Sequence, residues 1–225
     1  MRRYTLGTTK MFGWKNSNTP RRMPETSGAV DGGFFATRGL VAGTRIGTSM
    51  GWRAVEALAA GDMVLTFDNG LQPLVEVRRE TYWLSDAAIG DTAMVIVPAG
   101  AMGNSVDVAL LPDQGVLIES EAACDSHGDP FAVLRAKTLA GFRGITRAAP
   151  LPQMEIITLV FAYDEVVYAE GGVLLHCPRA IVRIDDLGQT LPAYQVTPDR
   201  DAAFLVECMM VEACGGATMP QPAAA

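Results

Sequence analysis

Gly61-Asp62-Met63-Val64-Leu65-Thr66-Phe67-Asp68-Asn69-Gly70-Leu71-Gln72-Pro73-Leu74-Val75-Glu76-Val77 is the stretch from which the fold class follows. Two apolar runs, Met63–Phe67 and Leu71–Val77, flank Asp68-Asn69-Gly70. Asn-Gly between such runs predicts a tight hairpin, because both central positions of the turn need positive φ and these residues tolerate it. Pro73 has no amide proton for a sheet ladder, so its strand is expected at an edge.

Outward from this hairpin the pattern repeats. Thr44–Thr48 and Trp52–Glu56 read as strands around the turn Ser49-Met50-Gly51. Further strands are expected at Met94–Val97, Val106–Leu111, Gly115–Ser120, Ile156–Phe161, Glu165–Ala169 and Val173–Leu175. Helix signals are sparse: a short turn at Val55–Ala60, a brief helix at Pro130–Leu139 and a better candidate at Ala202–Met210. Closely spaced short strands with Gly and Asn turns predict an all-β architecture of hairpins with little helix. Residues 1–35 have no sustained period and are rich in Gly, Ser, Thr, Asn, Pro and Arg, so a flexible basic arm is expected there. Residues 36–180 form the expected β domain. Residues 181–214 are expected to be a C-terminal extension with one short helix, and 215–225 a disordered tail.

With 225 residues, 49% of them hydrophobic, the chain suits one large β domain with a substantial core. The net charge of −7 is unevenly spread: residues 1–38 carry +5 and the remainder −12. An acidic body disfavours nucleic acid and anionic membranes as partners. The basic arm reads as a solvated tail, with folding back on the body or meeting an acidic partner as the alternatives. Lys10 and Lys15 interrupt the residues after Arg2-Arg3, no leader-like apolar stretch follows, and no run has membrane-spanning length. A soluble, cytoplasmic protein is therefore expected, with export without a leader left open. Cys124, Cys177, Cys208 and Cys214 read as free thiols, a Cys208–Cys214 bridge being the alternative in an oxidising compartment.

Gly39-Leu-Val-Ala-Gly43-Thr44-Arg-Ile-Gly-Thr48, followed by Gly51-Trp-Arg-Ala-Val55-Glu56-Ala-Leu58-Ala-Ala-Gly61-Asp62-Met-Val64-Leu65-Thr66-Phe-Asp68, resembles the opening of a Hint (Hedgehog/intein-type) domain. The resemblance is to the bacterial proteins of that type. It rests on the spacing of Gly43-Thr44, Val55-Glu56 and Gly61-Asp62-Met-Val64, and extends more weakly over about residues 36–180.

The resemblance implies a Hint-like β fold and a chemistry of backbone rearrangement. In such domains a Cys or Ser at the first position attacks the preceding carbonyl, forming a thioester or ester. A histidine in the second block helps protonate the departing amide nitrogen. These types are required because the attacker must be nucleophilic at neutral pH and the acid must hold a proton there. Carried onto this sequence, the first position falls on Gly39, the histidine position on Gln114 and a late polar position on Thr158. Glycine has nothing to attack with, and glutamine donates hydrogen bonds without transferring a proton.

Thr44, beside Thr48 and Ser49, is the candidate substitute nucleophile, although no base is close in sequence. Cys124-Asp-Ser-His127 together with His176-Cys177 could be zinc ligands. The competing account is one loop histidine and one buried cysteine. His176-Cys177 also resembles an intein terminus, but no Asn intervenes. The acidic pairs Asp164-Glu165, Asp185-Asp186 and Asp199/Asp201 read as solvated turns. The expected function is thus a catalytically silent Hint-like domain serving as a structural or binding module. No cofactor is expected, and a protein partner, if one exists, is of unknown kind. The alternative is autoprocessing through a non-standard nucleophile near Gly39, releasing the basic arm.

Overall fold

The computed structural model describes residues 37–83, 93–179 and 194–215, excepting the side chains of residues 125–127, 214 and 215. The expectations for the basic arm, for Asp185-Asp186 and for residues 216–225 lie outside the described residues.

The first strands are β1 (Leu40–Val41), β2 (Arg45–Thr48), β3 (Gly51–Ala54), β4 (Met63–Thr66), β5 (Gly70–Pro73) and β6 (Glu76–Trp83). Then come β7 (Met94–Val97), β8 (Val108–Leu110), β9 (Gly115–Glu119), the helix α1 (Glu121–His127), β10 (Phe131–Arg135) and β11 (Thr146–Ala148). The series ends with β12 (Gln153–Val160), β13 (Glu165–Tyr168), β14 (Leu174–Cys177) and the helix α2 (Asp199–Gly215). Among the described residues every paired strand is antiparallel, in three sheets: β1-β12-β6, β11-β7-β8, and an eight-stranded sheet running β10-β9-β14-β13-β4-β2-β3 with β5 added on β4. The fold is all-β, as expected. Among the described residues no helix is long and apolar enough to cross a membrane.

The deciding hairpin forms between β4 and β5, with Pro73 at its outer end, but the tight turn is corrected. Thr66 pairs with Gly70, so Phe67, Asp68 and Asn69 all lie in the loop. Gly70 has φ +65°, whereas Asn69 does not have positive φ. A three-residue loop closed by a left-handed glycine is the next commonest hairpin connection. It leaves the Asn69 amide free to donate to both carboxylate oxygens of buried Glu165, at 3.2 and 3.1 Å. Asp164 and Glu165, expected in a solvated turn, are both buried.

The brief helix expected at Pro130–Leu139 is corrected too. Phe131–Arg135 forms β10 in five-residue register with β9, and only Ala136–Leu139 coils into a 3-10 turn. Ala132, Val133 and Leu134 are all buried, and such a short run carries no period that separates a strand from a buried helix. The helix α1 was not expected. Ser120 caps it, its hydroxyl accepting from the Ala122 amide at 3.2 Å, and Gly128 ends it at φ +75°. α2 contains the expected Ala202–Met210 and extends past it at both ends; within the expected span Ala202, Leu205, Val206 and Met209 form a buried helical stripe. That stripe joins the main core, whose fully buried members include Ile46, Val55, Leu58, Val64, Leu134 and Leu175.

Asp199, expected in a solvated turn, instead docks α2. Its carboxylate meets Lys137 Nζ at 3.0 Å and Arg135 Nη1 at 2.5 Å. The Lys137 ammonium, helped by the Arg135 guanidinium, holds the carboxyl below the usual range against the opposing effect of burial. These groups are partly exposed, so the contacts contribute about 0.5–1 kcal/mol. Asp199→Asn should lower the melting temperature by about 1–4 °C in low salt. The difference should shrink near 1 M salt, where screening is short-ranged; an equal loss in both conditions would count against an electrostatic origin.

Candidate functional site

Pairing of β1 with β12 sets Leu40 opposite Ile157 and Val41 opposite Ile156. Gly39, just before β1, is thereby carried alongside Thr158. Gly39 has φ +119°, a conformation that residues with a side chain rarely adopt. A Cβ built on it would lie 2.6 Å from Ile156 Cγ2, 3.4 Å from the Ile157 carbonyl oxygen and 3.6 Å from Thr158 Oγ1.

Gln114 arrives from the turn between β8 and β9 and is 3% exposed. The Gly39 amide donates to its Oε1 at 3.1 Å. Its Nε2 donates to the carbonyls of Gly115 at 3.0 Å and His176 at 2.8 Å. One carboxamide thus ties together the approach to β1, the start of β9 and the end of β14. A neutral imidazole has one donor and one acceptor nitrogen and could not make all three bonds.

His176 comes from β14, where Leu175 opposite Val116 brings it beside Gly115. A Cβ at residue 115 would stand 2.9 Å from His176 Cβ, so glycine is what permits this approach. The imidazole is 6% exposed and tilts against the Tyr194 ring at 5.7 Å. Its Nε2 is buried without a hydrogen-bond partner among the described residues. Burial lowers its pKa from the usual 6.5, Asp164 opposes that, and the Arg38 charge reinforces it. A base with its folded pKa lowered supplies stability above the unfolded value and loses it as pH falls through the folded value. Urea midpoints should therefore decline between about pH 7 and about pH 5, by more than in a His176→Gln variant. Parallel declines in the two proteins would show that His176 is not the group responsible.

Cys177, the next residue, is buried in the main core. Burial, with a smaller effect of Glu165, pushes its thiol up to about 12. A thiol held protonated at neutral pH is a poor nucleophile.

Gly39, Gln114, Thr158, His176 and Cys177 line one cavity of ≈ 570 Å³. It lies where β1 and β12 of the three-stranded sheet meet β9 and β14 of the large one. Arg38, Asp113, Arg135 and Lys137 supply its charged groups, and Val196, next to α2, contributes an apolar wall. Sequence reasoning placed Gly39, Gln114 and Thr158 together through the resemblance. It weighed His176 and Cys177 for other roles and did not treat the four charged residues or Val196 as site members. Nothing local marks them, because they converge from separate parts of the chain.

Thr44 lies outside the cavity lining. Its amide donates to the Val41 carbonyl at 3.1 Å, and its carbonyl accepts from Val55 at 2.8 Å. Thr48 closes the β2–β3 turn, its hydroxyl donating to the Gly51 carbonyl at 2.7 Å; Ser49 is exposed in that turn. Cys124 is exposed on α1 while Cys177 is in the core, and the side chain of His127 lies outside the described residues. Among the described residues no group of three or more His, Cys, Asp or Glu side chains is placed to hold a metal ion. Cys208 is a free thiol; its suggested partner Cys214 has a side chain outside the described residues.

The Hint domain family model matches residues 38–174, more than half of the sequence. This chain therefore belongs to the Hint domain family. Similar solved structures include the intein-like domain from Clostridium thermocellum, with 14% identity and a TM-score of 0.43 over 63% of this chain and 99% of that one. Another is a splice-inactive variant of the AceL NrdHF class 3 split intein, with 15% identity and a TM-score of 0.41 over 64% and 99%. The gp41-1 intein gives 13% and 0.39 over 61% and 97%. No curated protein matches the chain.

Proposed function

We propose that this chain is a Hint domain that does not cleave itself and works as a structural or binding module. The observation that carries this reading is the backbone at Gly39. The position that would carry an attacking Cys or Ser holds a glycine at φ +119°, with an Ile156 methyl 2.6 Å from where a Cβ would go. The departure from self-cleavage chemistry therefore extends to the shape of the chain.

Gln114 adds to this. At the position where a proton donor would serve the leaving nitrogen, its carboxamide is engaged in three backbone hydrogen bonds and cannot transfer a proton at neutral pH. The Thr158 hydroxyl lies near Gly39, but among the described residues no hydrogen bond joins it to a base, and an alcohol needs one to attack. Thr44, outside the cavity, is less favoured still. Asp164 and Glu165, though buried, do not line this cavity. What remains is a formed cavity whose Gln114 carboxamide is fully bonded to backbone and which holds no reacting pair, which suits recognition of a ligand or partner.

Incubation of the purified full-length chain at neutral pH, with and without dithiothreitol, tests this on a denaturing gel. One undiminished band after several days is expected. A thiol-dependent band shortened by the residues before Gly39 would establish autoprocessing instead.

A further inference from the structure

We propose that the cavity between β1, β12 and β14 binds a small amphipathic monocarboxylate, an apolar chain ended by one carboxylate. This rests on reading the site as one of binding rather than reaction. Its volume of ≈ 570 Å³ falls within the usual range of small-molecule sites. Leu40, Ile157, Leu159, Pro178 and Val196 give it apolar walls, onto which an alkyl or branched aliphatic chain would be driven by burial.

The net charge at the cavity is positive. Arg38, Arg135 and Lys137 line it. Asp113 stands 3.0 Å from Lys137, and Asp199 bridges Lys137 and Arg135. Three cations against two carboxylates leave one unit of positive charge, in a body whose residues 39–225 carry −12. Arg38 is exposed and makes no hydrogen bond or ion pair among the described residues, so its planar fork is available to a carboxylate. One uncompensated charge matches a monoanion better than a phosphate dianion. Arg135 and Lys137 are offset by Asp113 and Asp199, so the uncompensated charge is that of Arg38.

The test is isothermal titration of the full-length chain, its mass verified, with octanoate, octanol and octylamine. Octanoate should bind at least about tenfold more tightly than octanol, with octylamine weakest. Arg38→Gln, at an exposed and unbonded position, should bring octanoate to within about threefold of octanol. Thr158→Trp, a bulky residue well suited to an exposed strand face, should abolish both by filling the cavity. Acetyl-Ala-Ala-Leu as free acid and as amide separates a peptide end from a free acid. A preference for the acid form supports the same chemistry at a chain terminus. Equal binding of octanoate and octanol, binding unaffected by Thr158→Trp, or no binding of any probe would overturn the proposal. Absence of binding to an uncleaved chain would leave the silent reading standing, whereas cleavage would refute that reading whatever binds.

Discussion

Gly39→Cys, which puts a thiol where the Hint resemblance places the attacking residue, is expected to destabilise the protein by about 2–5 kcal/mol and to give no cleavage. Two physical effects add. A side chain forced into a left-handed backbone region costs about 1–3 kcal/mol. The new Cβ also meets Ile156 Cγ2 at 2.6 Å, and overpacking of this kind costs about 1–3 kcal/mol. For a chain of this size the melting temperature should drop by about 5–15 °C. Gly39→Ala should show most of the same loss, because the clash begins at Cβ. If chemical unfolding found Gly39→Ala within about 0.5 kcal/mol of the parent, the strained backbone at the heart of the account would be wrong.

Gln114→Leu is expected to cost about 3–5 kcal/mol. The leucine fills similar space but strands the Gly39 amide and the carbonyls of Gly115 and His176, at about 1–3 kcal/mol for each unpaired buried group. Access of water to the cavity offsets part of that sum. Gln114→His should fall between parent and leucine variant, since a neutral imidazole keeps at most one of the two donations together with the acceptance from Gly39. Urea denaturation would give the order parent, histidine variant, leucine variant. A histidine variant as stable as the parent would mean that the threefold tie is not what holds Gln114 in place.

The family and its strand-rich fold were legible because they are written in local spacing. Gly43-Thr44 falls just before β2, Val55-Glu56 in a 3-10 turn that follows β3, and Gly61-Asp62 just before β4, and the Asn-Gly signal marks a real hairpin. What local spacing could not supply was the length of that hairpin's loop. Asn69 bonds Glu165, a residue 96 positions away, and no window around the turn contains that partner. β10 was missed for a related reason: its run is buried on all three central residues, so alternation was absent. Leading charges such as Glu76, Arg78, Arg79 and Glu80 hid β6, which pairs along its whole length with β12.

At the site, the resemblance to the family pattern was enough to single out Gly39 and Gln114 as the positions where an attacker and a proton donor would be expected. The positive φ of Gly39 and the closeness of Ile156 depend on the β1–β12 register, which sequence spacing does not encode. His176 showed the opposite failure. Its neighbour Cys177 drew attention to metal binding, whereas strand pairing turns the imidazole toward Gly115 and the cavity and leaves the thiol in the core.

The most direct measurement is intact mass spectrometry of the full-length chain, followed over days at neutral pH with and without a thiol. A Hint domain that does not cleave itself stays a single species at 23.9 kDa under both conditions. A species whose sequence begins at Gly39, with the complementary fragment ending at Arg38, would contradict it.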